Sequence, residues 1–244
     1  MSSFSALRGL VTTPDPDATR AGQAVLDAGG TAVDAAVCAS ALLGVRRPDL
    51  CGLGGDGVWL IADPGRPPLS IDGTGAAASR LDPAAAARGG GAAVTVAGLV
   101  SSWQLARDVA AGGGAAPSPA ALLAPARAAA AGPLADSLDR LARDGLDSFY
   151  RGGLGAAAAA GLARLGSPLV AEDLARHRGL RRHPLALGLA GATLFGPPPP
   201  TQGLAHLILA GLLARRAPAD PADPGFAPVL AAACLQAASV CVPS

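Results

Sequence analysis

The sequence Cys51-Gly-Leu-Gly-Gly-Asp-Gly57, which runs directly into Val58-Trp-Leu-Ile-Ala62, is the most informative part of the chain. Its glycines satisfy the dinucleotide-binding pattern G-x-G-x-x-G, which requires a strand before the glycines and a helix after them. Here a helix-like stretch precedes the glycines and an apolar, strand-like stretch follows them. Because this order is reversed, the sequence favours a tight turn that leads into a strand over a nucleotide site.

Two helices are predicted upstream of this turn. Apolar positions from Ala21 to Ala28 follow a helical period, and Gly29-Gly30 ends that helix. Thr31 is a favourable N-cap for the second helix, and Asp34 lies near its positive end. Residues 8–13 are predicted to form a short first strand.

Strands and helices alternate irregularly after the turn. Residues 58–62 and 69–71 are apolar runs separated by proline and glycine, which predicts a hairpin. Residues 94–96 and 188–194 are further candidate strands, and most of the remaining sequence has helical periodicity. Neither a repeat nor a clean linker is visible. The sequence therefore predicts an α+β fold and a single domain over residues 1–244.

Composition argues against nucleic-acid and membrane partners. The net charge is +1, and all 19 basic residues are scattered arginines, so no basic stripe is formed. The longest apolar run, residues 204–214, is about half of the ~20 residues that a membrane span needs. The start of the chain lacks a basic segment followed by an apolar run. We therefore expect neither nucleic-acid nor membrane binding, and a cytoplasmic location.

The cysteines and histidines show no metal-binding pattern. They form neither a C-x-x-C pair nor a zinc-like spacing. The residues concerned are Cys38, Cys51, Cys234, Cys241, His177, His183 and His206. We expect buried free thiols in a reducing compartment, with no metal and no cofactor.

A series of short motifs, in order along most of the chain, resembles the gamma-glutamyltranspeptidase family, and specifically its large-subunit half. Each motif is weak alone, and the order of all of them is what makes the resemblance specific. The motifs are Ala21-Gly22 with Gly29-Gly-Thr-Ala-Val-Asp-Ala-Ala36, Gly52-Leu-Gly-Gly-Asp-Gly57, Val94-Thr-Val-Ala-Gly98 with Trp103, Leu123-Ala-Pro-Ala126, Phe149-Tyr-Arg-Gly152, Glu172-Asp-Leu174, and Pro197-Pro-Pro-Pro-Thr-Gln-Gly203.

This resemblance implies an αββα sandwich of the N-terminal nucleophile hydrolase type. In such enzymes a precursor cuts itself before a threonine, which becomes the first residue of a small subunit. The threonine hydroxyl attacks an amide carbonyl while its own α-amine, which titrates near ~8, takes the proton. Backbone N–H groups then stabilise the oxyanion.

The resemblance implies that no catalytic residue lies in this chain. The family's threonine segment has no counterpart after Gly203, and Thr12, Thr13 and Thr201 stand in other contexts. We therefore expect a sandwich that is incomplete without a small subunit bearing an N-terminal threonine. The resemblance implies a heterodimer that acts on a small-molecule amide, as in glutathione metabolism, and a chain that is inactive alone.

The substrate question centres on residue 74. The resembled transpeptidases have an arginine just after the second strand, where a bidentate guanidinium holds the α-carboxylate of the glutamyl donor. Here the run is Gly73-Thr74-Gly75, and threonine offers one neutral hydrogen bond. Glutamyl specificity is therefore left open. The chain is also similar to transpeptidase-like hydrolases such as oxamate amidohydrolases, and to relatives in pyrroline-type antibiotic biosynthesis.

The candidate site residues follow from this resemblance. Gly73, Thr74 and Gly75 are expected to bind substrate. Residues expected to support the pocket are Gly54, Gly55, Asp56, Thr201, Gln202 and Gly203. A purely structural role competes with this one at Gly54, Gly55 and Asp56, because glycine is suited to tight turns. Arg151 is interpreted as a surface residue.

Three hypotheses for function remain open. The first is the large subunit of a gamma-glutamyltransferase-like amide hydrolase, which supplies the wall of the substrate pocket. The second is a relative in specialised metabolism that cleaves a non-glutamyl substrate. The third is a truncated, non-catalytic remnant.

Overall fold

The computed structural model describes residues 9–110, 116–216, 220 and 222–241. These residues form helices and two small sheets, which confirms the predicted α+β class. They divide into two compact units, one containing the chain up to Gly57 together with Gly73–Gly179, and the other containing Val58–Asp72 and the chain from Leu180 onward. The single domain expected over residues 1–244 stays a prediction.

The first unit is helical in the described part of the chain. Its elements are α1 (Pro16–Asp27), α2 (Ala32–Arg46), α3 (Pro83–Ala87), a 3₁₀ helix (Gly90–Ala93), α4 (Leu99–Ala110), α5 (Pro119–Ala129), α6 (Gly132–Asp144), α7 (Ser148–Arg151), α8 (Gly153–Arg164) and α9 (Ala171–Arg176).

Side-chain caps start the first two helices. The Asp15 carboxylate accepts hydrogen bonds from the backbone N–H groups of Asp17 and Ala18 at the start of α1. Thr31 and Asp34 form a reciprocal capping box at the start of α2, as the sequence predicts. These caps fix where both helices begin, because they satisfy N–H groups that have no partner within the helix.

A fully buried cluster forms the core of the first unit. Trp103 of α4 is 0% exposed, and aliphatic side chains of α2, α5 and α6 are buried with it. Those side chains are Val37, Leu122, Leu123, Leu138 and Leu141. The start of α4, which leads to the candidate site, is thus anchored by the core.

The second unit contains the sheets and the last two helices. Its elements are β1 (Gly57–Ile61), β2 (Leu69–Gly73), β3 (Leu180–Arg182), β4 (Leu185–Leu189), β5 (Ala192–Gly196), α10 (Gly203–Arg216) and α11 (Phe226–Cys241), except that the terminal residues Gly57 and Gly73 belong to the first unit. The first sheet has the order β1-β2-β3, and β2 pairs with β3 in antiparallel register, Ser70 opposite Arg182. The strands β4 and β5 form a separate antiparallel pair, Leu185 opposite Gly196.

Two predicted strands are wrong. Residues 9–13 form no strand, because side chains of α1 take their backbone groups: Val11 N donates to Gln23 Oε1 (3.3 Å). Residues 94–96 form an irregular segment in which Val96 N donates to Ala76 O (2.9 Å). Apolar alternation therefore did not indicate sheet pairing here, and of these apolar residues Val96 is buried while Leu10 and Val94 are exposed.

The predicted strand 188–194 is two strands. Gly191 has a φ of +76° and lies between β4 and β5, so the chain reverses there. Glycine permits this left-handed conformation at no steric cost, and the hairpin follows from it.

The cysteines differ in exposure. Cys38 is buried, and burial raises the pKa of its thiol to about 11, which keeps it protonated and unreactive at neutral pH. Cys51 is half-buried and Cys234 is exposed. The prediction of buried thiols is therefore right for Cys38 and wrong for Cys234. Within the described residues, no helix has the length and apolar character to cross a membrane.

Candidate functional site

The glycine turn lies at the start of α4. Gly55 N donates to Gly52 O at 2.9 Å, which closes the turn. The carbonyl of Gly55 then accepts from both Gly98 N and Leu99 N, each at 2.9 Å. The turn therefore satisfies backbone donors at the start of a helix, and its position is tied to that helix.

The structure brings two of the predicted groups together. Asp56 Oδ1 accepts a hydrogen bond from Gly75 N at 2.9 Å. The turn residues Gly55 and Asp56 and the run Gly73–Gly75 thus lie side by side within the first unit. Asp56 is exposed, so its carboxylate is available at the surface of the site while it holds the Gly75 amide.

Close packing of main chains explains Gly73, Gly75 and Gly98, and the Ser102 and Leu99 side chains leave no room for a Cβ on Gly57. A Cβ on Gly98 would overlap the carbonyl of Gly73, and one on Gly73 would lie 3.0 Å from Gly98 O and 2.6 Å from Gly57 O. A Cβ on Gly75 would overlap the carbonyl of Val96. Backbones can approach this closely only without side chains. We call Gly55, Gly57, Gly73, Gly75 and Gly98 the glycine platform.

An apolar cavity of about 530 Å³ adjoins this region. Its wall includes the turn residue Gly54 and the segment 94–97, whose Val96 is bonded to Ala76. Phe149 and four leucines also line the cavity, namely Leu162, Leu165, Leu169 and Leu174. The cavity can accommodate an apolar group of small-molecule size.

The third predicted group lies in the second unit. Thr201 Oγ1 lies within donating distance of the carbonyls of Pro197 (3.0 Å) and Pro198 (2.9 Å), and accepts from Gly203 N (3.2 Å). A Cβ on Gly203 would overlap the Pro197 carbonyl, and Gln202 is exposed. These contacts form a tight turn that leads into α10.

Sequence reasoning missed a buried polar cluster in the first unit. Ser101 N donates to the Tyr150 hydroxyl at 2.9 Å, and that hydroxyl donates to Ala97 O at 2.8 Å. Ser101 Oγ donates to Gly98 O at 2.8 Å and lies 3.0 Å from His177 Nε2. We call Ser101, Tyr150 and His177 the polar cluster. Tyr150 belonged to a recognised motif, but its partners are distant in sequence and gave no local signal.

The environment keeps Tyr150 protonated. Burial raises the pKa of its hydroxyl, which is only partly offset by the hydrogen bond with Ser101. A protonated phenol can donate to Ala97 O while it accepts from Ser101 N. Tyr150 therefore bridges a carbonyl and an N–H group at the beginning of α4.

Arg151 is not the simple surface residue that was predicted. Its guanidinium donates to His177 O at 2.8 Å and lies 5.8 Å from the centroid of the Tyr150 ring. It also pairs with Asp147 one turn earlier. Arg151 thus covers the polar cluster.

The described ranges contain no cluster of side chains typical of a metal site. They contain no group of three or more histidine, cysteine, aspartate or glutamate side chains that could hold an ion.

Comparison with known proteins places the chain beside one enzyme family. The model of the family described as gamma-glutamyltranspeptidase matches residues 18–132 and 121–222. The oxamate amidohydrolase proenzyme of Klebsiella pneumoniae is 36% identical, and the match covers 91% of this chain and 52% of that protein. The glutathione hydrolase-like YwrD proenzyme of Bacillus subtilis is 28% identical, and the match covers 84% of this chain and 48% of that protein.

Solved structures give the same result for the fold. Helicobacter pylori gamma-glutamyltranspeptidase aligns with a TM-score of 0.84 and 20% identity, over 98% of this chain and 84% of that one. Cephalosporin acylase from Bacillus halodurans aligns with a TM-score of 0.81 and 25% identity, over 91% of this chain and 52% of that one. This likeness confirms the predicted fold class. The chain spans about half the length of the relatives that its sequence matches.

Proposed function

Because this chain belongs to the gamma-glutamyltranspeptidase family, we propose that it is the large-subunit part of an amide hydrolase of the N-terminal nucleophile type. The observation that carries the proposal is the glycine platform, in which Gly73–Gly75 rests on Gly98 and is bonded to Asp56. That arrangement presents Thr74 next to a fixed main chain. A rigid wall of this kind suits a site that must hold an amide in one orientation.

In the proposed mechanism the nucleophile comes from a small subunit that begins with threonine. Its hydroxyl attacks the amide carbonyl while its α-amine accepts the hydroxyl proton and passes it to the leaving amine as the C–N bond breaks. Water then hydrolyses the resulting acyl ester, which releases the acid and regenerates the threonine. This chain contributes binding and orientation, chiefly through Gly73, Thr74 and Gly75. Gly54, Gly55 and Asp56 support that wall from the turn.

Other parts of the proposal follow from the same family. We assign the turn Thr201–Gly203 a supporting role, since its hydrogen bonds fix the start of α10. Both compact units would belong to one functional domain, and the active form would be a heterodimer. The free thiols of Cys38, Cys51 and Cys234 support a reducing, cytoplasmic compartment.

The proposed substrate is a small amide other than a glutamyl donor. Thr74 occupies the position where the resembled transpeptidases have arginine, and a threonine hydroxyl cannot neutralise a carboxylate. The oxamate amidohydrolase relative, at 36% identity, supports a small amide as substrate.

Thr74→Arg tests this assignment in the two-subunit complex. We expect the wild-type complex to hydrolyse a neutral small amide, and to cleave a γ-glutamyl anilide, which carries an α-carboxylate, poorly. The added guanidinium should increase kcat/KM for the anilide about tenfold, which corresponds to about one charge-assisted hydrogen bond. Thr74→Gln, which adds length without charge, is the control. Equal turnover of the anilide and the small amide by the wild-type complex would contradict the assignment.

The apolar cavity supports a second candidate function. A relative in specialised metabolism would act on a non-glutamyl amide that carries an apolar group, and the leucine-lined cavity of about 530 Å³ could receive that group. An N-acyl amide with a medium-length alkyl chain, tested beside the γ-glutamyl anilide and the small amide, separates the two candidate functions. Fastest turnover of this amide favours the second candidate. Absence of turnover of the whole panel by the complex favours the non-catalytic remnant.

A further inference from the structure

The polar cluster combines a serine and a histidine in a way that suggests a nucleophile and its base. Ser101 Oγ lies 3.0 Å from His177 Nε2, and both residues are buried, with exposures of 9% and 7%. A serine within hydrogen-bond distance of a histidine is a common signature of nucleophilic catalysis. The hydrogen bonds around it lead to a different role.

The protons available for the hydrogen bonds of Ser101 and His177 define that role. The Ser101 hydroxyl has one proton, and its oxygen lies 2.8 Å from Gly98 O, which can only accept. If that proton is donated to Gly98 O, then His177 Nε2 must carry a proton and donate to Ser101 Oγ. A nitrogen that donates cannot remove the serine proton. In this arrangement His177 holds Ser101, and Ser101 holds Gly98.

Aromatic contacts fix the orientation of the other member, Tyr150. The ring of Phe149 meets it edge-on at 5.0 Å between centroids, and the ring of His177 lies at 5.4 Å. Arg151 links Tyr150 and His177, because its guanidinium lies over the Tyr150 ring and donates a hydrogen bond to His177 O at 2.8 Å. Elements that are distant in sequence are thus joined through one phenol ring.

The cluster acts on the segment under the candidate site. Tyr150 holds the carbonyl of Ala97, and Ser101 holds the carbonyl of Gly98. Gly98 is the residue whose main chain touches Gly73 and Thr74 without room for a side chain. A shift of Ala97 and Gly98 must therefore move the run Gly73–Gly75 or open a gap beneath it.

We propose that Ser101, Tyr150 and His177 are positioning residues that hold Ala97 and Gly98 against Gly73–Gly75 and thereby set the geometry of the substrate wall. The proposal rests on the proposed function for what that wall binds. The positioning itself can be tested without turnover.

Hydrogen exchange in the full chain measures the positioning directly. Tyr150→Phe and Ser101→Ala should each speed exchange of the Gly75, Gly98 and Leu99 amides about tenfold, the effect of about one lost hydrogen bond. Ser118→Ala is the control, because it removes the cap bond to Ala121 N in α5 and leaves the cluster intact. Exchange at those three amides that equals the wild type in both cluster variants would overturn the proposal.

Two substitutions of His177 test its role as a hydrogen-bond donor to Ser101. His177→Leu removes the donor to Ser101 and should reproduce the faster exchange, whereas His177→Gln, whose amide can still donate, should return it to within about threefold of the wild type. Equal exchange in the two variants would contradict the proposed role of His177 as donor.

Kinetics of the two-subunit complex separate this inference from the proposed function. Positioning predicts that Tyr150→Phe and His177→Leu each raise KM and lower kcat by about threefold to tenfold, and that His177→Gln keeps both constants close to those of the wild type. Altered exchange in a complex without any amide turnover would refute the proposed function and leave the positioning intact. Labelling of Ser101 by a fluorophosphonate would instead identify it as a nucleophile and overturn the inference.

Discussion

Replacement of Gly98 by alanine is expected to lower the free energy of unfolding of the first unit by about 3 kcal/mol. The added Cβ would overlap the Gly73 carbonyl and lie 3.2 Å from the carbonyl carbon of Thr74. Both neighbours are main-chain atoms, so they cannot rotate away as a side chain could. The same displacement should reduce amide turnover by the complex at least about 100-fold, because it moves the proposed substrate wall.

Urea unfolding followed by the fluorescence of the buried Trp103 measures the loss, in a Trp59→Phe background. Gly54→Ala is the matched control: Gly54 belongs to the same candidate site, has no positive φ, and a Cβ there would meet nothing within 4 Å. We expect it to change stability by less than about 1 kcal/mol. If both alanine variants unfolded alike, the close contact of main chains in the glycine platform would be refuted.

Replacement of Asp34 by alanine is expected to lower the free energy of unfolding by about 4 kcal/mol. Asp34 is buried, with a side chain 5% exposed, and it accepts hydrogen bonds from Arg107 Nε (3.1 Å) and from Thr31 N and Oγ1 (3.2 and 2.8 Å). Asp34→Ala breaks the capping box of α2 and leaves the Arg107 guanidinium, which is 13% exposed, without its carboxylate.

The control for Asp34 is an ion pair of the same residue types at the surface. Asp139 pairs with Arg127 at 2.5 Å, and the two side chains are 50% and 38% exposed. Asp139→Ala should cost about 0.5 kcal/mol, since solvent screens the pair. Chemical unfolding of both variants measures the two losses in free energy of unfolding. A loss at Asp34 as small as the loss at Asp139 would show that the buried pair and cap do not hold α2 to α4.

The sequence predicted local features well. Thr31 caps the helix that it was expected to cap, because a cap depends on residues within one turn. The glycine-rich stretch before β1 is a turn, and its order relative to helix and strand was sufficient to reject the nucleotide pattern. The family resemblance, which rested on motif order, is also confirmed.

Features that depend on distant contacts could not be predicted. Residues 94–98 have a strand-like alternation, yet their backbone groups bond to the turn and to Ala76 instead of a neighbouring strand. Tyr150 lies 49 residues from Ser101, and His177 lies 76 residues from it. Nothing in the local sequence of a serine or histidine indicates such partners, since tertiary packing alone brings them together.

The central claim is that this chain forms one wall of an amide-hydrolysing site whose threonine comes from another polypeptide. Its most direct test compares the purified chain with a complex obtained by co-expression with a neighbouring reading frame that begins with a threonine segment. We predict amide hydrolysis by the complex, its loss when the partner's first threonine is replaced by alanine, and no hydrolysis by this chain alone. Hydrolysis by the chain alone at the rate of the complex would contradict the account.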